Sequence, residues 1–230
     1  MLTLEDTVRE NLGSVKGEIA DAAARCGRDP AGVTVMAVTK THPVDHMLAA
    51  IRCGIEHIGE NRVTEGGRKI REVGPDAAVF HAIGVLHRSE VRQAVRDFHC
   101  LDAVDRIKIL EEIARRGASP DILLEVNTSG EKAKKGFPPD EALLSEALGK
   151  ARELGLQVRG FLTIGPLYGN EADKRGAFAL LRELRDTLSG ALDMELPELS
   201  MGMSDDFSLA VLEGSTMVRL GTRLFGARGR

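Results

Sequence analysis

The feature that most constrains the fold is a regular alternation of two kinds of segment along the 230 residues. Eight short runs of β-branched and small apolar residues have the character of buried strands, and each run except the last precedes a segment with helical periodicity. Strands that alternate with helices pair in parallel, and eight such units in about 200 to 250 residues are typical of a closed barrel. We therefore predict an α/β fold, a single (β/α)8 TIM barrel domain spanning residues 1–230.

The predicted strands share short length, an apolar run and a boundary at glycine, proline or a polar turn. They are residues 33–41, 57–60, 79–84, 100–104, 121–127, 158–165, 199–203 and 217–221. An extra N-terminal helix, residues 3–25, begins with a capping-box pattern at Thr3 and Asp6. It is expected to cover the bottom of the barrel or to pack against its outside.

The alternative architecture is an open, doubly wound sheet. Such sheets usually have about five to seven strands and a glycine-rich first turn. The sequence contains neither a G-x-G-x-x-G motif nor a Walker motif, which favours the barrel.

Composition excludes several classes of function. The net charge is -4 and basic residues form no long run, whereas nucleic-acid binding needs a concentrated positive stripe. The three cysteines show no CxxC pairing, so neither a disulfide framework nor a thiolate metal site is indicated. The N-terminus has no signal-peptide pattern, and no apolar run reaches membrane-spanning length. We predict a cytoplasmic protein with no metal, no membrane partner and no nucleic-acid partner.

The first strand run carries one lysine, Lys40, at its C-terminal end. Because side chains alternate along a strand, Lys40 shares a face with Val38. The simpler explanation of this stretch alone is a lysine whose ammonium reaches solvent. The alternative is an amine held beside a dry pocket, where it can attack a carbonyl and form a Schiff base.

Two later strand ends carry a glycine together with a hydroxyl side chain. The run from Leu199 ends at Ser204, and the last strand ends at Gly221 and Thr222. Barrels commonly bind phosphate after strands seven and eight, where backbone amides and hydroxyls form an anion nest. Ordinary turn chemistry would account for the same residues.

Arg219 lies inside the last strand, where a charge is costly unless it is paired or faces a polar lumen. An ion pair with Glu60 or Glu125 is the structural explanation. The functional one is a guanidinium placed against a heteroaromatic ring nitrogen.

A lysine for an aldehyde, a phosphate clamp and a ring-nitrogen contact are together what pyridoxal 5'-phosphate (PLP) requires. Six motifs carry a family resemblance through nearly the whole chain: A-V-T-K-T (37–41), I-G-E-N-R (58–62), H-x-I-G (81–84), V-N-x-S-x-E (126–131), L-S-M-G-M-S-D-D (199–206) and G-S-T-M-V-R-L-G-T (214–222), the last continued by F-G-A-R (225–228). With these motifs the chain resembles the pyridoxal phosphate homeostasis proteins, the YggS/PROSC family, which share a fold-type III PLP barrel with the N-terminal domain of alanine racemase.

The resemblance implies a cofactor site and a role. The site consists of the Schiff-base lysine Lys40, the ring-nitrogen contact Arg219, the mouth residues Asn61 and Met201, and a phosphate clamp of Ser204, Gly221 and Thr222. The role is that of a non-catalytic carrier in intracellular PLP homeostasis, which holds PLP as an internal aldimine on Lys40. PLP-dependent apo-enzymes are the implied acceptors, and we expect a monomer or weak dimer.

Two other functions stay open. A fold-type III amino-acid racemase or decarboxylase would use the same imine, but a racemase needs a second base, and the only tyrosine is Tyr168. A barrel that binds another phosphorylated metabolite would use Lys40 only as an electrostatic contact.

Two segments depart from the family pattern, one after the third strand and one at the sixth strand, where F-L-T-I-G-P (161–166) replaces the commoner L-M-x-I; Lys134 and four histidines are separate open points. The segment from His81 to Glu90 departs from the family's usual H-F-I-G-x-L-Q-x-N-K, so roles of Gln or Lys there are not carried over. Lys134 is either a solvated loop residue or, by resemblance, a transient second site near the cofactor mouth. His57, His81, His87 and His99 are expected at strand ends or on the surface.

Overall fold

The structure, a computed structural model that describes residues 3–117 and 119–226, is a closed barrel of eight parallel strands in the order β1 to β8. Strand β8 pairs with β1 and closes the barrel, with Met217 opposite Thr34. The strands are β1 Thr34–Val38, β2 His57–Glu60, β3 Val79–Ala82, β4 Cys100–Val104, β5 Asp121–Glu125, β6 Val158–Leu162, β7 Glu198–Met203 and β8 Met217–Leu220. The predicted (β/α)8 barrel is confirmed. Ala227 and Arg228, the end of the last motif, lie outside the described residues.

The helices occupy the outside of the barrel. They are α1 Leu4–Arg25, α2 Val44–Arg52, α3 Val63–Val73, α4 Val91–Asp97, α5 Ile107–Arg115, α6 Glu141–Glu153, α7 Glu171–Leu192, α8 Phe207–Leu212 and α9 Thr222–Phe225, with short 3-10 turns at Pro30–Gly32 and Pro75–Ala77. The sequence predicted no helix after the last strand, and α9 corrects this. One helical turn is too short to produce a periodic pattern of apolar residues.

Helix α1 packs on the outside of the barrel, against α2, α8 and α9. Its Thr3–Asp6 capping box is present, and the side-chain amide of Asn11 donates to the carbonyl of Leu224 over 2.9 Å. Because α9 has a single turn, α1 fills the outer-layer position beside it. Its buried face consists of Val8, Leu12, Val15, Ile19, Ala22 and Ala23.

Several strands end earlier than predicted. Strand β1 stops at Val38 instead of Thr41, and β6 stops at Leu162 instead of Gly165. The residues beyond these ends, apart from Lys40 and Gly165, are apolar or β-branched and so resemble strand in sequence. They instead form the loops at the C-terminal mouth of the barrel, which puts Lys40 on a loop two residues past its strand.

Within the described residues, no helix combines the length and the apolar character needed to cross a bilayer.

Strand β6 contains a bulge that only glycine accommodates. Ile122 pairs with Val158 but Leu123 pairs with Gly160, so β6 carries one extra residue at this point. Gly160 has φ +153°, and a Cβ there would lie 1.9 Å from the carbonyl oxygen of Glu198 on β7. The neighbouring backbone cannot yield without breaking the β6–β7 ladder.

We predict that Gly160→Ala lowers the free energy of unfolding by at least about 3 kcal/mol, because backbone strain and a backbone clash combine. The matched control is Gly149→Ala on α6, where a Cβ meets nothing within 4 Å. That change should raise stability by about 0.5–1 kcal/mol, because alanine is the better helix former. Urea unfolding followed by circular dichroism measures both, and equal stability of the two variants would contradict this account.

Candidate functional site

Six of the seven predicted site residues line one cavity at the C-terminal mouth of the barrel. The cavity has a volume of about 220 Å³ and an apolar wall that includes Val38, Leu162 and Ile164. Lys40 shares it with Val38, although Lys40 lies on the loop after β1 and not in the strand. The six residues are Lys40, Asn61, Ser204, Arg219, Gly221 and Thr222.

Met201 is the exception. The sequence predicted it at the mouth of the barrel, but its side chain does not line the cavity. Its side chain is fully buried in the apolar core between strands and helices. The reason lies in β7, where Ser200 faces Arg219, so Met201 points to the opposite side of the sheet. A bulge between Ser200 and Met203 then shifts the register, and Met203 lines the cavity instead.

The backbone before Lys40 is fixed by a buried ion pair. The ammonium of Lys69, on α3, donates to the carbonyl oxygen of Thr39 and to Glu60 Oε1, each over 2.9 Å. The Thr39 hydroxyl donates to the same Glu60 oxygen over 2.6 Å. Lys69 and Glu60 each have a side chain no more than 1% exposed, so water does not compete for these bonds.

The backbone after Lys40 is fixed by the same group. Thr41 has φ +66°, which is unusual for a β-branched residue, and its N–H donates to Glu65 Oε1 over 3.0 Å. Glu65 lies 2.9 Å from the ammonium of Lys69, one helical turn further along α3. The residues on both sides of Lys40 are therefore held by one buried lysine.

Burial raises the pKa of the Glu60 carboxyl, and the hydrogen bonds from Thr39 and Lys69 oppose that rise. Sequence reasoning missed this cluster. The available signal was the i, i+4 spacing of Glu65 and Lys69 on the predicted helix.

Arg219 crosses the lumen below the cavity. Its NH1 group donates to the carbonyl and the hydroxyl of Ser200 over 2.6 and 2.8 Å, and its NH2 group donates to the carbonyl of Thr163 over 2.7 Å. Within the part of the chain that the structure describes, it forms no salt bridge with Glu60 or Glu125. Burial lowers the pKa of the guanidinium, and nearby carboxylates oppose this. These bonds fix the orientation of the guanidinium at the cavity wall.

The predicted phosphate clamp lies on two neighbouring turns. Strands β7 and β8 are adjacent, and the hydroxyl of Ser204 accepts a long hydrogen bond, 3.4 Å, from the N–H of Arg223. The turn after β7 is closed by Asp206, whose carboxylate accepts from the N–H of Met203 over 2.6 Å. Ser204 and Thr222 therefore present hydroxyls to the same cavity from two turns that are held together.

Lys134 lies near this mouth but its ammonium is engaged. It donates to the carbonyls of Gly165 and Ile164 over 2.6 and 3.4 Å, and it lies 2.9 Å from Glu131 Oε2. Glu131 in turn accepts from the N–H of Leu167 over 3.0 Å. These bonds connect the loop after β5 to the loop after β6.

The divergent segment after β3 borders a second, larger groove of about 950 Å³. His87 and Glu90 line it, and the carboxylate of Glu90 accepts from the N–H of His87 over 3.0 Å. The groove shares Asn61, Ile83 and Ile164 with the cavity that contains Lys40. The two spaces are therefore adjacent, with these three residues between them.

One histidine is deeply buried, against expectation. His81 is 2% exposed; its Nδ1 lies 2.9 Å from Asp102 and its Nε2 lies 2.9 Å from Nδ1 of His57. Cys100 lies beside this pair, and burial raises the pKa of its thiol. The chain of bonds joins β2, β3 and β4 inside the barrel and occupies both ring nitrogens of His81.

A barrel with a lysine at its C-terminal mouth, facing hydroxyls after β7 and β8, defines a class of protein. The family model for the N-terminal domain of alanine racemase matches residues 11–229. The fold is also similar to that of alanine racemase from Bacillus anthracis, at a TM-score of 0.72 and 14% identity, with 98% of this chain and 57% of that chain covered. The class is thus the alanine racemase N-terminal-domain barrel.

Relatives with higher sequence identity specify the family within this class. The pyridoxal phosphate homeostasis protein of Pseudomonas aeruginosa is 38% identical to the chain, and the alignment covers 96% of this chain and 96% of that protein. The pyridoxal phosphate homeostasis protein of Escherichia coli is 36% identical, and the alignment covers 96% of this chain and 97% of that protein. PipY of Synechococcus elongatus, solved with PLP bound, is 34% identical with a TM-score of 0.81, covering 95% of this chain and all of that chain. The chain belongs to the family of pyridoxal phosphate homeostasis proteins, which confirms the resemblance drawn from the motifs.

We predict that Lys69→Ala lowers the free energy of unfolding by about 3–5 kcal/mol, because it leaves the carboxyl of Glu60 buried without its cation. Lys69→Met, which keeps the length of the side chain, should be destabilising for the same reason. Lys108→Ala, an exposed change on α5, should stay within about 0.5 kcal/mol.

Urea unfolding measures these differences, and amide hydrogen exchange reports the local effect. Exchange at Thr41 should accelerate in the folded Lys69 variants but not in Lys108→Ala. A loss below about 1 kcal/mol for Lys69→Ala would show that the cluster is solvated rather than buried.

Proposed function

We propose that this chain binds PLP and acts as a non-catalytic carrier in intracellular PLP homeostasis. The observation that carries the proposal is that Lys40, Arg219 and the hydroxyls of Ser204 and Thr222 line one cavity. No single residue of this set is specific for PLP. An amine, a guanidinium and a neutral anion clamp at one barrel mouth match the three functional parts of the cofactor.

The residues that line the cavity fit PLP. Lys40 supplies the amine that bonds covalently to the aldehyde carbon. Ser204, Gly221 and Thr222 offer hydroxyls and backbone to the phosphate, and Asn61 lines the ring's surroundings. When bound, PLP supplies a reactive aldehyde on an electron-withdrawing ring.

Arg219 supports the carrier over the enzyme. A guanidinium does not give up its proton, so beside the ring nitrogen it would not keep that nitrogen protonated. The ring would then be a weaker electron sink than a ring whose nitrogen is held protonated, which favours the carrier role. The only tyrosine of the sequence, Tyr168, is 87% exposed on the loop after β6, so it is not positioned as a second base.

The relatives support the cofactor and the role. PipY has been solved with PLP bound, and the curated relatives are named pyridoxal phosphate homeostasis proteins. We infer that PLP-dependent apo-enzymes receive the cofactor, that the chain acts in the cytoplasm, and that it is a monomer or weak dimer.

Lys40→Ala should abolish covalent attachment of PLP. The measurement is mass spectrometry after borohydride reduction of the protein incubated with PLP, with peptide mapping to place the added mass. The control, Lys134→Ala, should retain the added mass on Lys40, because the ammonium of Lys134 bonds to loop carbonyls and Glu131. Undiminished labelling of Lys40→Ala would refute the assignment, and turnover of D- or L-amino acids that depends on Lys40 would refute the carrier role.

Ser204→Ala and Thr222→Val should each raise the dissociation constant for PLP by about 10- to 100-fold. A hydrogen bond to a charged group is worth about 1.5–3 kcal/mol, and about 1.4 kcal/mol corresponds to a factor of ten. Binding of pyridoxal, which lacks the phosphate, should be unchanged in both variants.

Fluorescence or absorbance titration measures these constants, and Thr187→Val, an exposed change on α7, is the control. Equal weakening of PLP and pyridoxal would show that the two hydroxyls do not hold the phosphate.

A further inference from the structure

A buried cluster of three side chains, those of His81, Cys100 and Asp102, lies in the barrel outside the cavity of Lys40. Cys100 and Asp102 are two residues apart on β4, so both face away from Leu101, which belongs to the apolar core. His81 is the residue of β3 that pairs with Cys100. One ring nitrogen, one sulfur and one carboxylate oxygen of this cluster lie within 4.8 Å of one another. These atoms are therefore close enough to bind a single metal ion.

The chemistry of the three side chains fits zinc. Imidazole, thiolate and carboxylate are the ligand types that Zn²⁺ takes in proteins, at about 2.0–2.3 Å from the ion. At those distances the ligand atoms of a tetrahedral site are about 3.3–3.6 Å apart. Nδ1 of His81 lies 2.9 Å from a carboxylate oxygen of Asp102, so these two atoms need to separate by only about 0.5 Å. Three protein ligands leave the fourth tetrahedral position for water.

His57 provides the outer contact of a metal-binding histidine. Its Nδ1 atom lies 2.9 Å from Nε2 of His81. When Nδ1 of His81 binds the ion, the proton of that ring lies on Nε2 and is donated to His57. Histidines that bind metals almost always donate their second ring N–H in this way, which fixes the orientation of the ring. This contact is independent of the three ligand atoms.

Carboxylates crowd this part of the barrel. Three of them act electrostatically on the thiol of Cys100, and one guanidinium opposes them. The carboxylates are those of Asp102, Asp121 and Glu198, and the guanidinium is that of Arg159. Arg159 lies 3.7 Å from the carboxylate of Glu198, and its Nε atom has no hydrogen-bond partner among the described residues. Among these four groups negative charge exceeds positive charge, which a divalent cation offsets.

A cavity of about 290 Å³ at the bottom of the barrel gives an ion access to the cluster. It is lined by the first residues of four strands, which are Thr34, His57, Glu198 and Met217. Because His57 bonds to His81, the wall of this cavity contacts the cluster directly.

We propose that His81, Cys100 and Asp102 bind one Zn²⁺ ion inside the barrel and that the ion joins β3 to β4. Nδ1 of His81 and the carboxylate of Asp102 exchange their mutual hydrogen bond for bonds to the ion. Binding releases one proton to solvent, that of the Cys100 thiol, while the ring of His81 keeps its single proton on Nε2. The sequence predicted no metal site, because the ligands come from two strands and form no CxxC motif.

The test is titration of the full chain with Co²⁺, without added PLP, because Co²⁺ accepts the same ligands as Zn²⁺ and is coloured. We expect one equivalent of Co²⁺ to bind, with the visible bands of tetrahedral cobalt and a thiolate-to-cobalt charge-transfer band in the near ultraviolet. Zn²⁺ should displace the Co²⁺ and remove both signals. Absence of binding would overturn the proposal, and so would binding without the charge-transfer band, which would indicate an ion at histidines elsewhere in the chain.

The three cysteines of the chain provide matched variants. Cys100→Ala should lose the charge-transfer band. The double variant Cys26→Ala/Cys53→Ala keeps Cys100 as its only thiol and should retain the band at one equivalent of Co²⁺. Loss of the band in the folded double variant would refute the assignment to Cys100, even if Cys100→Ala does not fold. Because no PLP is added, the outcome does not depend on the carrier role.

A further variant tests the outer contact. His57→Ala leaves the three ligands in place and should lower the affinity for Co²⁺ by about 10- to 100-fold. His87→Ala, an exposed change on the loop after β3, should leave the affinity unchanged. Equal affinity of the two variants would overturn the assignment of Nδ1 of His81 as the ligand atom.

Discussion

A single buried ammonium, that of Lys69, organises the part of the barrel on which the site depends. It bonds to the carbonyl of Thr39 and to Glu60, and it lies beside Glu65, which holds the backbone of Thr41. Lys40 lies between these two threonines. Because the three partners are on β2, α3 and the end of β1, the interaction joins the outer layer to the strand end. The direction in which Lys40 leaves the barrel is therefore set from outside the lumen.

Hydrogen bonds inside the barrel lumen also position the residues of the site. Arg219 spans from β8 to Ser200 on β7 and to Thr163 after β6, so its bonds connect three consecutive strands. Below it, His81 and Asp102 connect β3 and β4. Polar groups inside a barrel must be paired with one another because water does not reach them. Among the described residues, the Oε2 atoms of Glu60 and Glu125 depart from this rule, because both are buried without a hydrogen-bond partner.

The fold was predictable because its signal is repetitive. Each strand and helix contributes the same periodic pattern, so errors of a few residues at strand ends did not affect the count of eight. The site was predictable to the extent that barrels concentrate function at strand ends, which brought Lys40, Ser204, Arg219 and Thr222 together. Met201 was misplaced because a bulge in β7 changes which side chain faces the cavity, and a bulge depends on pairing with the neighbouring strand.

The sequence by itself determined the class of fold, the identity of the lysine and the motifs that place the chain in its family. Local periodicity and residue chemistry are sufficient for these, because they do not require knowledge of contacts between distant segments. Only the tertiary structure decided how the loop of Lys40 is held, which methionine reaches the mouth and that Arg219 bonds to Ser200 and Thr163. Those properties arise from side chains far apart in the chain, and burial and pairing exist only once the barrel is closed.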